Sequence, residues 1–261
     1  MLTLDNCDRI EVVLVSPRNP LNIGAAARAM ANFGFTRLAV VAPYAPHWRE
    51  ARSAVGAPDL LQNAKETTTL GEAVSGSTLV IGTGTLAMRK PEQKVVSLPA
   101  LAPVVQKELA REGRIAIVFG PEKHGLTRED LSYCHLLVEI PTDARQPSMN
   151  LGQAVAVCLY ELATRALPEA DASHEHRLTQ PQGADSAAPS GELDLLAEVV
   201  EQTMIAADYS PATMRAANRH DLRLLLRRLQ PDSSDTRRIL GLFRRILWRI
   251  QRAADTPPDR G

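Results

Sequence analysis

Three polar segments of this 261-residue chain concentrate the side chains that could do chemistry. The first is Ser16-Pro17-Arg18-Asn19-Pro20-Leu21-Asn22-Ile23-Gly24-Ala25-Ala26-Ala27-Arg28. A β-branched run precedes it and an alanine-rich helical pattern follows. A helix N-terminus after a parallel strand is a ready site for an anion or other ligand. Asn22 is suited to cap that helix, Gly24 allows close backbone approach, and Arg28 follows about one and a half turns in. Alone, Arg28 reads equally as a surface arginine on an alanine-rich helix.

The second segment, Phe119-Gly120-Pro121-Glu122-Lys123-His124-Gly125-Leu126, ends a strand in glycine and turns through charged residues toward the N-cap Thr127. Its backbone amides can bind a polar ligand, and Glu122 can hold a cation or orient a hydroxyl; the alternative is a plain tight βα connection. The third, Ile140-Pro141-Thr142-Asp143-Ala144-Arg145-Gln146-Pro147-Ser148-Met149-Asn150-Leu151, runs from a strand end into a helix. Ser148 and Asn150 are neutral hydrogen-bonding groups there. Ser148 has no GxSxG context, which argues against serine hydrolase chemistry. Gly82-Thr83-Gly84 lacks the third glycine of a dinucleotide fingerprint, yet at the carboxyl end of a strand it can join the same crevice.

The elements that must position these segments alternate over residues 10–165. Strand-like runs are IEVVLV (10–15), RLAVVAP (37–43), STLVIGTG (77–84), RIAIVFG (114–120) and LLVEIP (136–141). Helical patterns cover Asn22 to Phe33, ended by Gly34, then 57–66, 101–113 with Gly113 past its end, 127–134, and Met149 to Arg165. Strands with little polar alternation are buried on both faces, so the class is α/β with a mainly parallel sheet. Residues 168–191 lack periodicity and read as a linker. Three amphipathic helical patterns follow, the last with Ile239, Leu242, Phe243, Ile246, Leu247 and Ile250 on one face. The expected division is a catalytic domain over 1–167, a linker over 168–191, a helical C-terminal extension over 192–252 and a tail over 253–261.

Composition narrows the function classes. Hydrophobic residues at 44% allow a core of ordinary size. Cys7, Cys134 and Cys158 form no CxxC pair, which excludes a disulfide scaffold and the usual zinc spacings and fits a reducing, cytoplasmic location. His174 and His176 have no third ligand nearby, so no metal is expected. No apolar run is long enough for a membrane helix, and the first residues lack a signal-peptide h-region. Four Phe, four Tyr and two Trp are too few for a base-stacking RNA sheet. The balance of 30 basic and 30 acidic residues hides segregation: residues 171–214 hold eight acids and one Arg, whereas 215–252 hold eleven Arg and three Asp.

Taken jointly, the three segments resemble the signature motifs of the SpoU/TrmH branch of the SPOUT RNA methyltransferases. VLVSPRNPLNIGAAARAMANFGFTRLAVVAP is similar to motif 1, IAIVFGPEKHGLTREDL to motif 2 and IPTDARQPSMNLGQAVAVCLYEL to motif 3. The stretch REARSAVGAPDLLQNAKE, the Asn-Leu of motif 3 and the helical extension are most similar to the TrmJ-like tRNA group. The resemblance spans about residues 10–165. It implies a trefoil-knotted α/β fold, a homodimer with its site at the interface, and methyl transfer from S-adenosyl-L-methionine to a ribose 2′-hydroxyl. In this sequence the implied cofactor positions are Thr83, Gly84, Thr85, Gly120, Ile140, Pro147, Ser148 and Met149. The implied catalytic positions are Arg28, Asn22, Ser148, Asn150 and Glu122. Pro147 stands where a small polar residue is common and removes one backbone donor; Met149 stands where leucine is common.

Arginine is a poor base, so Arg28 is expected to bind substrate phosphate and stabilise the developing alkoxide, with Ser148 or Asn150 orienting the group. The implied substrate is tRNA, with cytidine or uridine at position 32 of the anticodon loop; ribosomal RNA is the alternative target. A non-catalytic RNA-binding protein retaining the fold, and a dinucleotide-dependent oxidoreductase, are the competing classes. The near-intact motifs disfavour the first and the missing GxGxxG the second. The arginine-rich extension has two readings: contact with tRNA phosphates, or a docking or dimer unit whose arginines are solvated or paired with the acidic segment before it.

Overall fold

A computed structural model describes residues 7–84, 91–165 and 187–254. Thr85, the His174/His176 pair, most of the expected linker and the chain end from 255 lie outside the described residues.

Among the described residues, seven parallel strands form one sheet in the order β3-β2-β1-β6-β4-β7-β5. They are β1 (Ile10–Val15), β2 (Arg37–Val41), β3 (Lys65–Thr67), β4 (Leu79–Thr83), β5 (Lys94–Ser97), β6 (Ile115–Phe119) and β7 (Leu136–Glu139). Central β1 pairs in register with both neighbours, Val12 opposite Leu38 on one side and Ile117 on the other. Its side chains divide between two cores: Ile10, Val12 and Leu14 join one cluster, Val13 and Val15 the other. Continuous apolar runs are thus explained by helices on both faces.

β6 is inserted between β1 and β4, and β7 between β4 and β5. The last strand of the sheet in sequence order, β7, is therefore flanked by two earlier ones. It brings the carboxyl ends of β4, β6 and β7 side by side, where a crevice forms in open α/β sheets.

Helix α1 (Pro20–Asn32) begins earlier than the sequence suggested. Its cap is Asn19, whose side chain accepts from the Leu21 amide at 2.9 Å, with Pro20 in the first turn. Asn22 is thereby displaced from the cap and freed for a side-chain role. Gly24 is needed for packing, since a Cβ there would come 2.8 Å from the Ala54 backbone nitrogen. The pattern read as one helix over 57–66 is the five-residue α2 (Pro58–Gln62) followed by edge strand β3. Helix α3 (Leu70–Val74) and strand β5 had no counterpart in the sequence reading. Helix α4 (Leu101–Leu109) ends through Glu112 in the left-handed region (φ 60), not through Gly113.

Helix α5 (Arg128–Ser132) starts at the expected Thr127 cap, in a capping box with Asp130. Helix α6 (Leu151–Arg165) buries Leu151, Val155, Cys158, Leu159 and Leu162, and packs against α1. Gly152 admits Ala25, whose Cβ would lie 2.7 Å from a Cβ at that position. Among the described residues the extension is three helices, α7 (Ser190–Ala206), α8 (Arg215–Leu229) and α9 (Ser233–Ala254). Helix α7 starts inside the segment read as linker. It is tied to the sheet domain where Ser190 and Gly191 amides donate to the Ser77 and Ser75 carbonyls at 2.8 and 2.9 Å.

Candidate active site

The three loops after β4, β6 and β7 line one cavity of about 240 Å³. Thr83, Gly84, Gly120, Glu122, Ile140, Pro147, Ser148 and Met149 all contribute to its wall. Local structure explains each placement. The Thr83 hydroxyl donates to the Val118 carbonyl at 3.0 Å, so it braces the sheet and leaves the Gly84 end of β4 as the lining. Gly120 is required by close approach: an added Cβ would lie 2.8 Å from Gly125 Cα. The loop closes on itself as the Gly125 amide donates to the Pro121 carbonyl at 2.9 Å. In the third loop Thr142 Oγ1 donates to the Pro147 carbonyl at 3.1 Å, and Arg145 pairs with Asp143 at 2.9 Å. These local bonds present Ser148 and Met149 to the cavity.

Glu122 ties the loops together. Its Oε2 accepts from the Arg18 amide at 3.1 Å, and its Oε1 from the Asn19 amide at 3.1 Å and Asn22 Nδ2 at 2.9 Å. Asn22 Oδ1 in turn accepts from Asn150 Nδ2 at 2.9 Å. Asn150 Oδ1 accepts from the Gly152 amide at 2.9 Å at the start of α6. Segments one, two and three are thus joined by one chain of side-chain hydrogen bonds. Burial raises the Glu122 pKa, but donation from Asn22 and from backbone amides outweighs it and leaves the carboxyl below its ordinary value. Glu122 is a carboxylate saturated with donors, which suits it to positioning and not to proton transfer.

Arg28 is placed differently. It is exposed on α1, three residues beyond Ala25, and does not line the cavity. Among the described residues it makes no hydrogen bond or ion pair. Residues of the second and third segments to which the sequence reading gave no role also line the cavity, Phe119, Lys123, His124, Leu126, Thr142 and Leu151, and Ala154 lies beyond both segments. Those from Phe119 to Thr142 lie at or just after strand carboxyl ends, whereas Leu151 and Ala154 belong to the first turn of α6. The buried thiols of Cys134 and Cys158 are pushed up to about 12 by burial, so they stay protonated and inert.

The cavity wall suits S-adenosylmethionine. Phe119, Leu126, Ile140 and Leu151 offer an apolar face for a purine, and the Gly120 turn brings backbone amides close. Among the described residues the one lining carboxylate, Glu122, is already engaged by donors.

Comparison with known proteins places the chain in a family. The sequence model of the SpoU rRNA Methylase family matches residues 9–160. The tRNA (cytidine/uridine/adenosine-2′-O-)-methyltransferase TrmJ of Pseudomonas aeruginosa is 36% identical over 257 residues, covering 95% of each chain. The tRNA (cytidine-2′-O-)-methyltransferase TrmJ of Methanocaldococcus jannaschii is 41% identical over 162 residues, covering 60% of this chain and 68% of its own. The crystal structure of TrmJ from Z. mobilis ZM4 superposes with a TM-score of 0.76 at 28% identity, covering 90% of this chain and 98% of that one. The chain belongs to the SpoU methylase family and is an RNA methyltransferase.

Proposed function

We propose that the chain methylates the ribose 2′-hydroxyl of tRNA, at cytidine or uridine 32 of the anticodon loop, from S-adenosylmethionine. The observation that carries this reading is the Glu122–Asn22–Asn150 chain, which gathers all three motif segments around one cavity. The TrmJ relatives support tRNA as substrate and include cytidine and uridine among their nucleosides, the Pseudomonas aeruginosa relative taking adenosine as well. The donor supplies an electrophilic methyl carried on a sulfonium. Residues 83–84, 120–125 and 140–149 would hold it through backbone groups and apolar contact. Much of the acceleration then comes from holding acceptor and donor in line. Asn22, Glu122 and Asn150 set the relative positions of the loops, and Ser148 lies where it can orient the acceptor.

Arg28 binds substrate phosphate and stabilises negative charge growing on the ribose oxygen. Its distance from the cavity in one chain supports a homodimer in which the site is completed across the interface. Leu21, Val157 and Tyr160, exposed on α1 and α6, give that interface apolar surface. Three buried free cysteines fit a cytoplasmic setting, and no helix among the described residues is long and apolar enough to cross a membrane. The division into a catalytic domain to 167 and a helical extension follows the same reading, with the extension starting at Ser190.

The test is methyl incorporation into unmodified tRNA with purified protein, followed by mapping of 2′-O-methyl loss in RNA from a deletion strain. Loss at tRNA position 32 supports the proposal. Loss confined to ribosomal RNA would transfer it to the alternative target, and no transfer to any RNA would reject it.

A further inference from the structure

Helix α8 presents His220, Arg223 and Arg227 to α5 at the i, i+3, i+7 spacing of one helical face. Helix α5 follows the 120–126 loop and leads into β7, and both that loop and the segment after β7 line the candidate donor cavity. At the start of α5, Arg128 Nε donates to His220 Nε2 at 3.2 Å. At its end the Arg223 guanidinium lies 4.4 Å from the Tyr133 ring centroid. Arg227 Nε donates to the Tyr133 carbonyl at 2.9 Å. Arg227 is 1% exposed and its Nη2 is anchored to Ser190 Oγ and Asp194 Oδ1, both at 2.9 Å. A buried guanidinium held on both sides is a fixed strut and not a surface contact.

We propose that this face of α8 is a positioning element for the methyl-donor site. The extension braces α5 along its length and so holds the Gly120–Leu126 loop in its binding position. The inference rests on the cavity being the S-adenosylmethionine site. None of the three side chains lines that cavity, so the effect passes through α5. Without the brace the loop spends part of its time in other positions, and apparent donor affinity falls by the fraction that remains competent. The chemical step, once donor is bound, is untouched.

The experiment uses the full-length chain, with S-adenosylhomocysteine affinity measured by titration calorimetry. Arg223→Met and Arg227→Met are compared with wild type and with the surface control Lys107→Met, at a temperature where circular dichroism shows each folded. Both brace variants are expected to weaken binding about five-fold or more, within the range of ordinary site coupling. They should raise the donor KM in parallel, while kcat at saturating donor stays within about two-fold. Arg227→Lys, which keeps the charge and a donor toward the Tyr133 carbonyl, should recover part of the loss. Lys107→Met should bind as wild type does.

Wild-type affinity in folded Arg223→Met or Arg227→Met overturns the brace, as does a fall in kcat with affinity unchanged. If Arg227→Met does not fold, Arg223→Met decides alone. A wild-type chain that fails to bind S-adenosylhomocysteine overturns the donor reading and the brace with it. Binding by wild type that is unchanged in the variants overturns the brace only.

Discussion

Three N–H donors converge on the two oxygens of Glu122, so a neutral carboxamide there would find no acceptor for its NH2 group among them. Glu122→Gln would turn an NH2 group toward at least one of them. Solvent exposure keeps the cost near the low end, about 1 kcal/mol, which a urea titration would read as a lower midpoint. The depressed pKa has a matching signature: the stabilisation is present above the ordinary carboxylate range and is lost as pH falls through the folded-state value. Arg28 obeys a different logic, because its proposed task needs a planar fork. Arg28→Lys keeps the charge but loses bidentate geometry. It is expected to lower kcat about 100-fold, the scale of one lost charge-stabilising donor, with S-adenosylhomocysteine affinity unchanged. Near-normal turnover in single-turnover methyl transfer would remove Arg28 from that role. The three polar segments were legible in the sequence as loops after strands, and the resemblance to the family motifs pointed to Thr83, Gly84, Gly120, Ile140, Pro147, Ser148 and Met149, which line the cavity. The Asn22–Asn150 bond, 128 residues apart in sequence, was not legible, since no local pattern encodes a contact made by strand insertion.

At the scale of elements, legibility followed burial. Central strands such as β1 and β6 are wholly buried and read as apolar runs. Edge strands β3 (KET) and β5 (KVVS) are mostly exposed, so nothing in their composition separates them from loop. Helix α3 is too short for periodicity, yet Thr69-x-x-Glu72 is a complete capping box and was the available signal. The β4–β7 seam carries a further consequence. His135 donates its backbone N–H to the Val80 carbonyl at 2.8 Å, while its Nδ1 accepts the Val80 N–H at 3.0 Å. Burial, with the nearby Arg227 charge, lowers its pKa from 6.5 to about 3. The folded state therefore holds His135 neutral while the unfolded chain takes up a proton below its ordinary pKa. Stability is lost as pH falls from about 6.5 toward 3. Asparagine can place a carboxamide oxygen near the Nδ1 position without titrating. His135→Asn should show a smaller drop in melting temperature between about pH 7 and pH 4 than wild type. An identical drop would mean other groups govern acid stability.

For the molecule as a whole, the segregated charge of the C-terminal third resolves into two populations. Arg219 pairs with Glu201 at 2.8 Å, and Arg223 and Arg227 lie 3.9 and 2.9 Å from Asp194, so α8 spends arginines on the acidic helix α7. The two readings of the basic segment therefore apply to different residues. Arg228, Arg244 and Arg249 are exposed and make no ion pair among the described residues. Helix α9 sets such arginines beside exposed Leu242 and Ile246 while its other side packs on α7. Only the unpaired population is free to displace counterions from RNA, because a guanidinium already neutralised in the fold releases none. Replacing Arg244 and Arg249 together by Gln should weaken tRNA binding and flatten the plot of log affinity against log salt by about one to two phosphate contacts. Replacing Arg219 by Gln should leave that slope unchanged and act on stability, by removing the ion-pair partner of the Glu201 carboxylate, whose side chain is 7% exposed in the native fold. If the slope changed for Arg219→Gln and not for the α9 pair, the division between structural and RNA-facing arginines would be reversed. The extension would then meet RNA along α8, the same helix that braces α5.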